Sequence, residues 1–456
     1  MAARIAPALC IASLLAGCAG AGTTPPAGGA LGPSDVADSV PFVNPGKYIK
    51  HVIIVVQENR SFDNLFDGFP GADTSATGYM HDGTQVALQP IPFEVHDMDH
   101  YYQTGRMDYD GGKMDGFDLN GTSGSKPAGT FPYSYLERSA VQPYWTIAQQ
   151  YVLADHMFPT MFGPSFTAHL TLIGGTADLT PTQSEADFPT AEPWGCDAPS
   201  GTVTATVTAA TPAPVVSDDD GPFPCFNQFR TLAATLDAKH VSWKYYAPAI
   251  GSSNSGRLWS SFDAIRSVRD GPDWKTKVIS PPTRIIHDAL SGHLAAVSWV
   301  VPDFLWSDHP YAGTPYGPSW VAAVVNAAGA SPDWKSTAIV VVWDDWGGFY
   351  DNVPPPQLDF RGLGIRVGCL IVSPYVKARV VHTQYEFGSI LKFVEQTFDL
   401  PPLGSQADGY TDTRAKSIVD SFDFMQAPRS FTPISAPYPR SFFIHHAASF
   451  EPPDSE

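Results

Sequence analysis

The sequence predicts an α/β protein in which a largely parallel central sheet is flanked by helices on both faces. Short apolar runs rich in Val and Ile have the length and composition of strands buried on both faces; they lie at residues 52–56, 295–301, 338–343 and 367–372. Helical patterns accompany these runs, and the clearest of them places apolar residues between 387 and 398 on one helix face. Strands that alternate with helices are typical of parallel sheets, in which ligands bind beyond the carboxyl ends of the strands.

Composition excludes several classes of partner. The 456 residues include 27 basic and 46 acidic side chains, which gives a formal charge of −19. Sequence-independent binding of nucleic acid and electrostatic adhesion to an anionic membrane both require an excess of Lys and Arg. Hydrophobic residues make up 43% of the chain and aromatic residues 12%, which is enough for a large core. We therefore expect a loop-rich, anionic globular enzyme or binding protein.

The first residues of the chain have the pattern of an export signal. The apolar stretch 5–15 follows a single positive residue, Arg4, and is too short to span a bilayer. Small residues directly before Cys18 resemble the processing site of bacterial lipoproteins; the alternative is an ordinary secretory signal. We predict a signal peptide over 1–17, lipidation of Cys18 and a flexible tether over 18–46. The mature protein would then be periplasmic or on the outer membrane, held only by its lipid, or otherwise secreted.

The remaining cysteines suit an oxidising compartment. Cys196 and Cys225 bracket the stretch 201–222, whose Thr, Ala and Pro content predicts a surface insertion with little regular structure. A disulfide between them would reduce the entropy of the unfolded chain, but the sequence leaves this pairing open. Cys369 lies in an apolar run and is predicted to be a small core residue. No CxxC pair is present, which argues against zinc held by cysteines.

Carboxylate and amide side chains directly follow two of the apolar runs. Glu58 and Asn59 come after the first run, and Asp344 and Asp345 come after the run 338–343. Carboxylate and amide oxygens suit a hard divalent cation, and adjacent buried carboxylates repel each other unless a cation compensates them. The alternatives are a capped helix entry for the first pair and a solvated turn for the second.

A hydroxyl and three histidines complete the set of candidate residues. The pair 163–164, Gly-Pro, predicts a turn after which Ser165 begins a helix. A hydroxyl at a helix N-terminus beside a cation suits attack on a phosphate; the alternative is a simple N-cap. His169 either shares the helix face of Ser165 or packs in the core. His100 and His309 have acidic neighbours, and imidazoles of this kind stabilise negative charge or protonate a leaving group.

Together, six segments in order resemble the phosphoesterase family that contains bacterial acid phosphatases and non-haemolytic-type phospholipases C. They are HVIIVVQENRSFDNLF at 51–66, GGKMDGF at 111–117, GPSFTAH at 163–169, SDHP at 307–310, VVWDDWGGFYDNVPPP at 341–356 and SPYVKARVVHTQYEFGSILKFVEQTF at 373–398. The resemblance covers most of the chain between residues 48 and 430. It implies a fold similar to that of alkaline phosphatase, with the site at the strand ends.

The resemblance also implies a role for each candidate residue. The hydroxyl nucleophile falls on Ser165, where phospholipase members tend to have Thr, and phosphate-contacting histidines fall on His100 and His309. One divalent metal ion, Ca, Mg, Mn or Zn, is implied, with ligands on Glu58, Asn59, Asp344 and Asp345; ligands that are all oxygen suit the first three ions better than zinc. Many relatives carry His at the position of Asn352, which puts an acid role there in doubt.

We interpret the chain as a metal-dependent phosphoric ester hydrolase with a phosphoseryl intermediate, most consistent with an acid phosphatase acting on phosphomonoesters. Its catalytic domain would span 47–430, followed by a C-terminal extension over 431–456. The alternative within the enzyme class is a phospholipase C acting on phosphodiester headgroups, although such relatives usually add C-terminal β domains. The alternative of another class is a catalytically silent envelope lipoprotein that binds phosphate-bearing glycans or lipids. A silent descendant would be expected to have lost part of the candidate set, which is intact here.

Overall fold

The apolar runs of the sequence form the centre of a nine-stranded sheet, because β-branched side chains favour an extended backbone and pack well on a pleated surface. The structure is a computed structural model that describes residues 43–122, 126–248 and 260–447. Their strands are β1 (His51–Gln57), β2 (Thr77–Tyr79), β3 (Gln85–Ala87), β4 (Gln89–Ile91), β5 (Gly121–Thr122), β6 (Lys126–Pro127), β7 (Ser134–Leu136), β8 (Val152–Phe158), β9 (Asp178–Thr180), β10 (Gln183–Glu185), β11 (Thr206–Thr208), β12 (Val215–Ser217), β13 (Trp243–Tyr246), β14 (Val278–Ile279), β15 (Val297–Val300), β16 (Thr337–Trp343), β17 (Val367–Val372), β18 (Arg379–Val381) and β19 (Tyr385–Glu386).

The main sheet has the order β14-β13-β15-β1-β16-β17-β8-β18, and β19 also pairs with β8. Neighbouring strands are parallel except for β17, which is antiparallel to both β16 and β8. Every residue of β16 and β17 is buried. Because successive side chains point to opposite faces of a sheet, both faces are covered here. The predicted α/β class with a largely parallel sheet is confirmed.

Helices occupy much of the remaining chain. They are α1 (Phe62–Phe66), α2 (Tyr102–Tyr109), α3 (Gln142–Gln150), α4 (Ser165–Gly174), α5 (Leu232–Ala238), α6 (Arg266–Arg269), α7 (Asp273–Thr276), α8 (Arg284–Leu290), α9 (Gly317–Gly329), α10 (Phe387–Phe398) and α11 (Arg440–His445). Helices α3 and α8 pack against α9, whereas α5 and α10 pack against α4. None of the helices in the described ranges has the length and apolar character needed to cross a membrane.

The pairing of β1 with β16 determines where the functional motifs meet. The two strands run in parallel from the pair His51 and Thr337 to the pair Gln57 and Trp343. The backbone N–H of Asp344 then donates to the carbonyl of Gln57 at 2.9 Å. Asn59 and Asp344, which follow the two strands, therefore lie side by side at one edge of the sheet. They are 285 positions apart in the chain.

The segment 201–222 is not the irregular insertion that its composition predicts. It contains β11 and β12, which complete an antiparallel sheet of order β12-β11-β10-β9, and Val207 is fully buried. The alternation of Thr and Val in β11 is a strand pattern that the flanking Ala and Pro residues conceal. Cys196 and Cys225 form a disulfide, a pairing that the sequence left open. Cys369 is a buried thiol in β17, as predicted.

The structure describes most of the predicted C-terminal extension but not the predicted signal peptide. Asn44–Glu456 forms one compact unit, whereas the predicted signal peptide, Cys18 and the tether up to residue 42 lie outside the described residues. The predicted C-terminal extension is described as far as residue 447. Within it, the N–H of Ile434 donates to Asn326 Oδ1 of α9 at 2.8 Å, and α11 also packs on α9.

Glu185, at the end of β10, makes the stability of the protein depend on pH. Burial raises the pKa of Glu185 from its ordinary value of 4.5 to about 8. The folded protein therefore retains a proton that the unfolded chain releases, so stability is lost as the pH rises from about 5 through 8. We expect Glu185→Gln to raise the free energy of unfolding by roughly 2 kcal/mol at pH 8.5 and to change it little at pH 4.5.

Urea denaturation at the two pH values measures this difference. Glu137 is exposed, so Glu137→Gln serves as the matched control and should have no pH-dependent effect. An equal change of stability at both pH values in Glu185→Gln would contradict the assignment of the effect to a retained proton.

Candidate active site

Glu58 lies at the centre of a buried cluster beyond the carboxyl end of β1. Its side chain is fully buried, and its backbone N–H donates to the carbonyl of Ser307 at 2.8 Å. Ser165 Oγ donates to Glu58 Oε2 at 3.2 Å. His169 Nε2 lies 2.9 Å from Glu58 Oε1. One carboxylate thus contacts two residues of helix α4.

The side-chain NH2 of Asn59 makes a hydrogen bond, whereas its side-chain carbonyl oxygen accepts none. Its backbone is left-handed, with φ of 55°, a conformation that Asn tolerates better than most residues. Its backbone N–H donates to Asp344 Oδ1 at 3.0 Å, and its Nδ2 is 2.9 Å from His100 Nε2. Its Oδ1 is buried and accepts no hydrogen bond from the protein. A Cβ at Gly347 would lie 2.2 Å from the Asn59 carbonyl, so the turn can approach Asn59 this closely only with glycine there.

Asp344 and Asp345 each use one oxygen to shape the turn after β16. Asp344 Oδ1 accepts the N–H of Asn59 and, at 2.8 Å, that of Asp345. Asp345 Oδ1 accepts the N–H of Gly347 at 2.8 Å, and its Oδ2 accepts from Ser165 Oγ at 3.4 Å. Asp344 Oδ2 is buried without a hydrogen-bond donor and lies 3.5 Å from His169 Nε2.

Ser165 is brought to this cluster by the predicted turn and helix. It is the first residue of α4, directly after Pro164. Gly163 has φ of 133°, and a Cβ there would lie 2.8 Å from the carbonyl oxygen of Ala186. The turn is therefore tight, and it sets the hydroxyl where the carboxylates that follow β1 and β16 meet.

The two predicted histidines have different hydrogen-bonding states. His100 Nδ1 is 2.9 Å from the carbonyl of Met98, so this nitrogen carries the proton and Nε2 accepts from the amide of Asn59. His309 Nδ1 instead accepts the N–H of Tyr311 at 3.3 Å, which places the proton on Nε2, 3.9 Å from Asp97 Oδ2. The ring centroids of the two histidines are 6.2 Å apart, so His309 lies beside the residue that orients Asn59.

Asp308 anchors the loop that carries His309, and sequence reasoning did not single it out. Its Oδ2 accepts from the Tyr144 hydroxyl at 2.6 Å and from Trp343 Nε1 at 3.0 Å. Its carbonyl accepts from Arg60 Nε at 2.9 Å. These partners come from distant parts of the chain, so only its place in the SDHP segment could have indicated the role.

The pKa values of the clustered carboxylates Glu58 and Asp344 are shifted in opposite directions. Burial, together with the charges of Asp344 and Asp345, raises the pKa of Glu58 well above its ordinary value. Burial acts in the same direction on Asp344, but the neighbouring Glu58 and His169 side chains outweigh it and hold the pKa of Asp344 below its ordinary range. Like charges buried together are unfavourable unless a cation or protons compensate them.

The side chains present fit a divalent metal ion. Ligand atoms of Glu58, His169 and Asp344 lie within 4.8 Å of one another, a closeness that no other group of three such side chains reaches in the described ranges. Asn59 Oδ1 and Asp344 Oδ2, on residues bonded to each other, are buried oxygens that accept no hydrogen bond. The arrangement is compatible with a bound metal ion, as the sequence predicts.

Of the predicted ligands, Glu58 and Asp344 belong to this group. Asn59 is bonded to Asp344 through its backbone N–H, and Asp345 is linked to Glu58 through Ser165. His169 was left open by the sequence. The signal available was its spacing of four from Ser165, which puts both residues on one face of α4. Its contact with Glu58 joins residues 111 positions apart and has no local signature.

Asn352, for which the sequence left an acid role in doubt, takes part in a different network. Its Oδ1 accepts from Arg366 Nη2 at 2.8 Å, and its Nδ2 donates to Asp73 Oδ1 at 3.2 Å. Arg366 is fully buried between Asp63 and Asp351. Asn352 therefore helps to satisfy a buried arginine.

Comparison with known proteins gives consistent matches. The family model described as "Phosphoesterase family" matches residues 49–401. Phospholipase C B of Mycobacterium tuberculosis is 23% identical over 444 residues, covering 84% of this chain and 80% of the relative; phospholipase C A of the same organism is 24% identical over 453 residues, covering 84% and 79%. A solved structure of an alkaline phosphatase superfamily protein from Vibrio parahaemolyticus matches with a TM-score of 0.35 and 10% identity, covering 77% of this chain and 66% of that chain.

Proposed function

The chain belongs to the phosphoesterase family, whose model matches residues 49–401, and from this premise we propose that it cleaves phosphodiesters in the manner of a phospholipase C. Membership makes it a phosphoric ester hydrolase, so the predicted enzyme class is confirmed and the silent binding protein is not supported. The curated relatives described above are phospholipases C, which favours the diester alternative over the acid phosphatase that the sequence suggested. The preference for phosphomonoesters that the sequence suggested is unconfirmed.

The position of Ser165 supports a covalent mechanism. Its Oγ is 3.2 Å from Glu58 Oε2 and 3.4 Å from Asp345 Oδ2, within reach of a carboxylate that can take its proton. In the first step the serine oxygen bonds to phosphorus, the bond between phosphorus and the leaving alcohol breaks, and the hydroxyl proton passes through a carboxylate to that alcohol. In the second step water attacks phosphorus, the bond to Ser165 breaks, a water proton passes through the carboxylate to the serine oxygen, and a phosphate monoester leaves.

The remaining candidate residues have supporting tasks in this proposal. His309 carries its proton on Nε2 and donates a hydrogen bond to the oxygen of the departing alcohol. His100 accepts from the amide of Asn59 and so fixes the orientation of that side chain. One divalent ion held by Glu58, Asn59, Asp344 and Asp345 would supply Lewis-acid stabilisation of the charge on phosphate. The nearby imidazole of His169 makes manganese or zinc as suitable as calcium or magnesium.

A paired assay tests the proposed function. Purified mature protein is given p-nitrophenyl phosphate or p-nitrophenyl phosphorylcholine, each with and without EDTA. We expect faster turnover of the phosphorylcholine diester and suppression by EDTA that is reversed by added divalent ions. Faster turnover of the monoester would instead favour the acid phosphatase. Absence of turnover on both substrates, with calcium, magnesium, manganese and zinc each resupplied, would contradict hydrolysis altogether.

A further inference from the structure

The loop that carries His309 contacts the strand that ends at the active site and, separately, the C-terminal part of the chain. This His309 loop, residues 301–316, joins β15 to α9. The backbone carbonyl of Trp306 accepts from Nε2 of Gln57, the last residue of β1, at 3.2 Å. The indole ring of Trp306 packs against the C-terminal segment, residues 431–447. Trp306 therefore links β1 to the C-terminal segment through the His309 loop.

Aromatic rings join the His309 loop to α9 and α11. The ring centroid of Trp306 lies 5.1 Å from that of Trp320 on α9 and 5.2 Å from that of Phe443 on α11. Trp320 and Phe443 are themselves 5.5 Å apart, and all three rings are buried. Tyr316, at the end of the loop, packs on Tyr438 with centroids 4.8 Å apart. Removal of the Phe443 ring would therefore open a void directly beside Trp306.

Hydrogen bonds fasten the C-terminal segment to α9. Asn326 Nδ2 donates to the carbonyl of Ile434 at 2.8 Å, and Asn326 Oδ1 accepts the N–H of the same residue at 2.8 Å. The N–H of Tyr438 donates to Ser319 Oγ at 3.3 Å. The segment lies beyond residues 49–401, which match the family model. Its contact with the His309 loop is therefore a feature of this chain outside the matched region.

The backbone beside His309 depends on its surroundings for its conformation. Asp308 has φ of 73°, in the left-handed region that residues with a Cβ rarely adopt. A Cβ at Gly317, the first residue of α9, would overlap Asp308 Oδ1, so the loop and α9 are in close contact. His309 is 1% exposed, so packing determines where its ring lies. A shift of Trp306, three residues earlier, would be passed on to that ring.

We propose that Phe443 is a positioning residue for His309: by packing against Trp306 it holds the His309 loop so that His309 Nε2 faces the oxygen of the departing alcohol. The inference rests on the proposed function, in which His309 donates a hydrogen bond to that oxygen. Such a hydrogen bond stabilises the negative charge that develops on the oxygen as its bond to phosphorus breaks. A basic alcohol needs this stabilisation more than p-nitrophenol does, because p-nitrophenolate spreads the charge over its ring.

The test compares two diesters that differ in their leaving group. One is p-nitrophenyl phosphorylcholine, and the other is p-nitrobenzyl phosphorylcholine, which releases a more basic alcohol that is measured by chromatography. The leaving-group ratio is kcat/KM for the first diester divided by kcat/KM for the second. We expect Phe443→Ala to raise this ratio about fivefold or more over wild type. A general loss of folded protein lowers both rates equally and leaves the ratio unchanged.

A double-mutant cycle tests whether Phe443 acts through His309. His309→Ala should raise the leaving-group ratio by roughly 30-fold or more, because it removes the hydrogen bond itself. Addition of Phe443→Ala to His309→Ala should then leave the ratio where His309→Ala alone puts it. A further rise in the double variant would show that Phe443 acts by another route, and it would contradict the proposal.

Phe431→Ala is the matched control. Phe431 belongs to the same C-terminal segment, but it lies against Gly329, the last residue of α9, and packs on Trp334 with centroids 5.1 Å apart. Its replacement should keep the wild-type leaving-group ratio. Phe443→Leu, which keeps an apolar side chain, is the second variant if Phe443→Ala does not fold. It should raise the ratio in the same direction by a smaller factor.

Failure of this inference and failure of the proposed function give different results. A wild-type leaving-group ratio in both Phe443→Ala and Phe443→Leu overturns the positioning role and leaves diester hydrolysis in place. A wild-type ratio in His309→Ala, or no cleavage of the nitrobenzyl diester by the wild type, contradicts the task of His309 and this inference with it. Turnover of p-nitrophenyl phosphate without cleavage of either diester overturns the proposed function itself.

Discussion

Ser165→Ala is expected to lower turnover of phosphate esters by at least ~10³-fold, because it removes the oxygen that forms the bond to phosphorus. The fold should persist, since the hydroxyl donates only to Glu58 and Asp345 and caps no helix. Rates are measured with the phosphorylcholine diester, and stability by thermal unfolding. Ser165→Thr, which keeps a hydroxyl at this position, should retain part of the rate.

Thr171→Val is the matched control for this variant. Thr171 also lies on α4 and is fully buried, but its hydroxyl donates to the carbonyl of Ala168, within the helix. Its replacement should leave turnover within a few-fold of wild type. Acid quenching of wild-type protein during turnover of this diester, followed by mass spectrometry, should find a phosphocholine group on Ser165. Near-normal rates in Ser165→Ala would exclude the covalent mechanism.

Asp344→Asn is expected to abolish metal binding and to reduce turnover by more than ~10³-fold. Asp344 Oδ2 is buried and accepts no hydrogen bond, so its negative charge is available to a cation, and an amide in its place supplies none. In metal-depleted protein the same change should not destabilise the fold, because it removes one of three mutually repelling carboxylates. EDTA should lower the Tm of the wild type, by loss of about 3–4 kcal/mol of binding free energy, and leave the Tm of Asp344→Asn unchanged.

Metal content by mass spectrometry and the two thermal unfolding curves measure these effects. Asp219 is exposed, so Asp219→Asn serves as the control for Asp344→Asn. It should retain metal, turnover and the response to EDTA. Stoichiometric metal in purified Asp344→Asn, or the same EDTA shift as in the wild type, would show that the ion binds elsewhere.

The sequence predicted the fold where local pattern and tertiary role agree. Strands β1, β16 and β17 are continuous apolar runs, and they are buried on both faces. Strand β8 pairs with β17, β18 and β19 of the same sheet but was not predicted, because Asp155 and His156 interrupt its apolar pattern. Asp155 is fully buried and is satisfied by His382 Nδ1 and the N–H of Asp73. A polar residue inside a sheet becomes intelligible only when its partners, here 82 and 227 positions away, are known.

The candidate site divides in the same way. The sequence predicted that Glu58 and Asp344 follow strands and that Ser165 begins a helix. These are local features of the chain. Which of them come together depends on the register of β1 with β16 and on the packing of α4 over their ends. Neither that register nor the contact of His169 with Glu58 has a local signature.

By itself, the sequence determined the α/β class, the predicted metal ligands and nucleophile, and the family. Only the tertiary structure decided that His169 lies within 4.8 Å of Glu58 and Asp344 and that the segment 201–222 is part of a sheet. The physical reason is the range of the interactions. Backbone conformation follows from neighbouring residues, whereas a site is made by side chains that the fold brings within a few ångströms of one another.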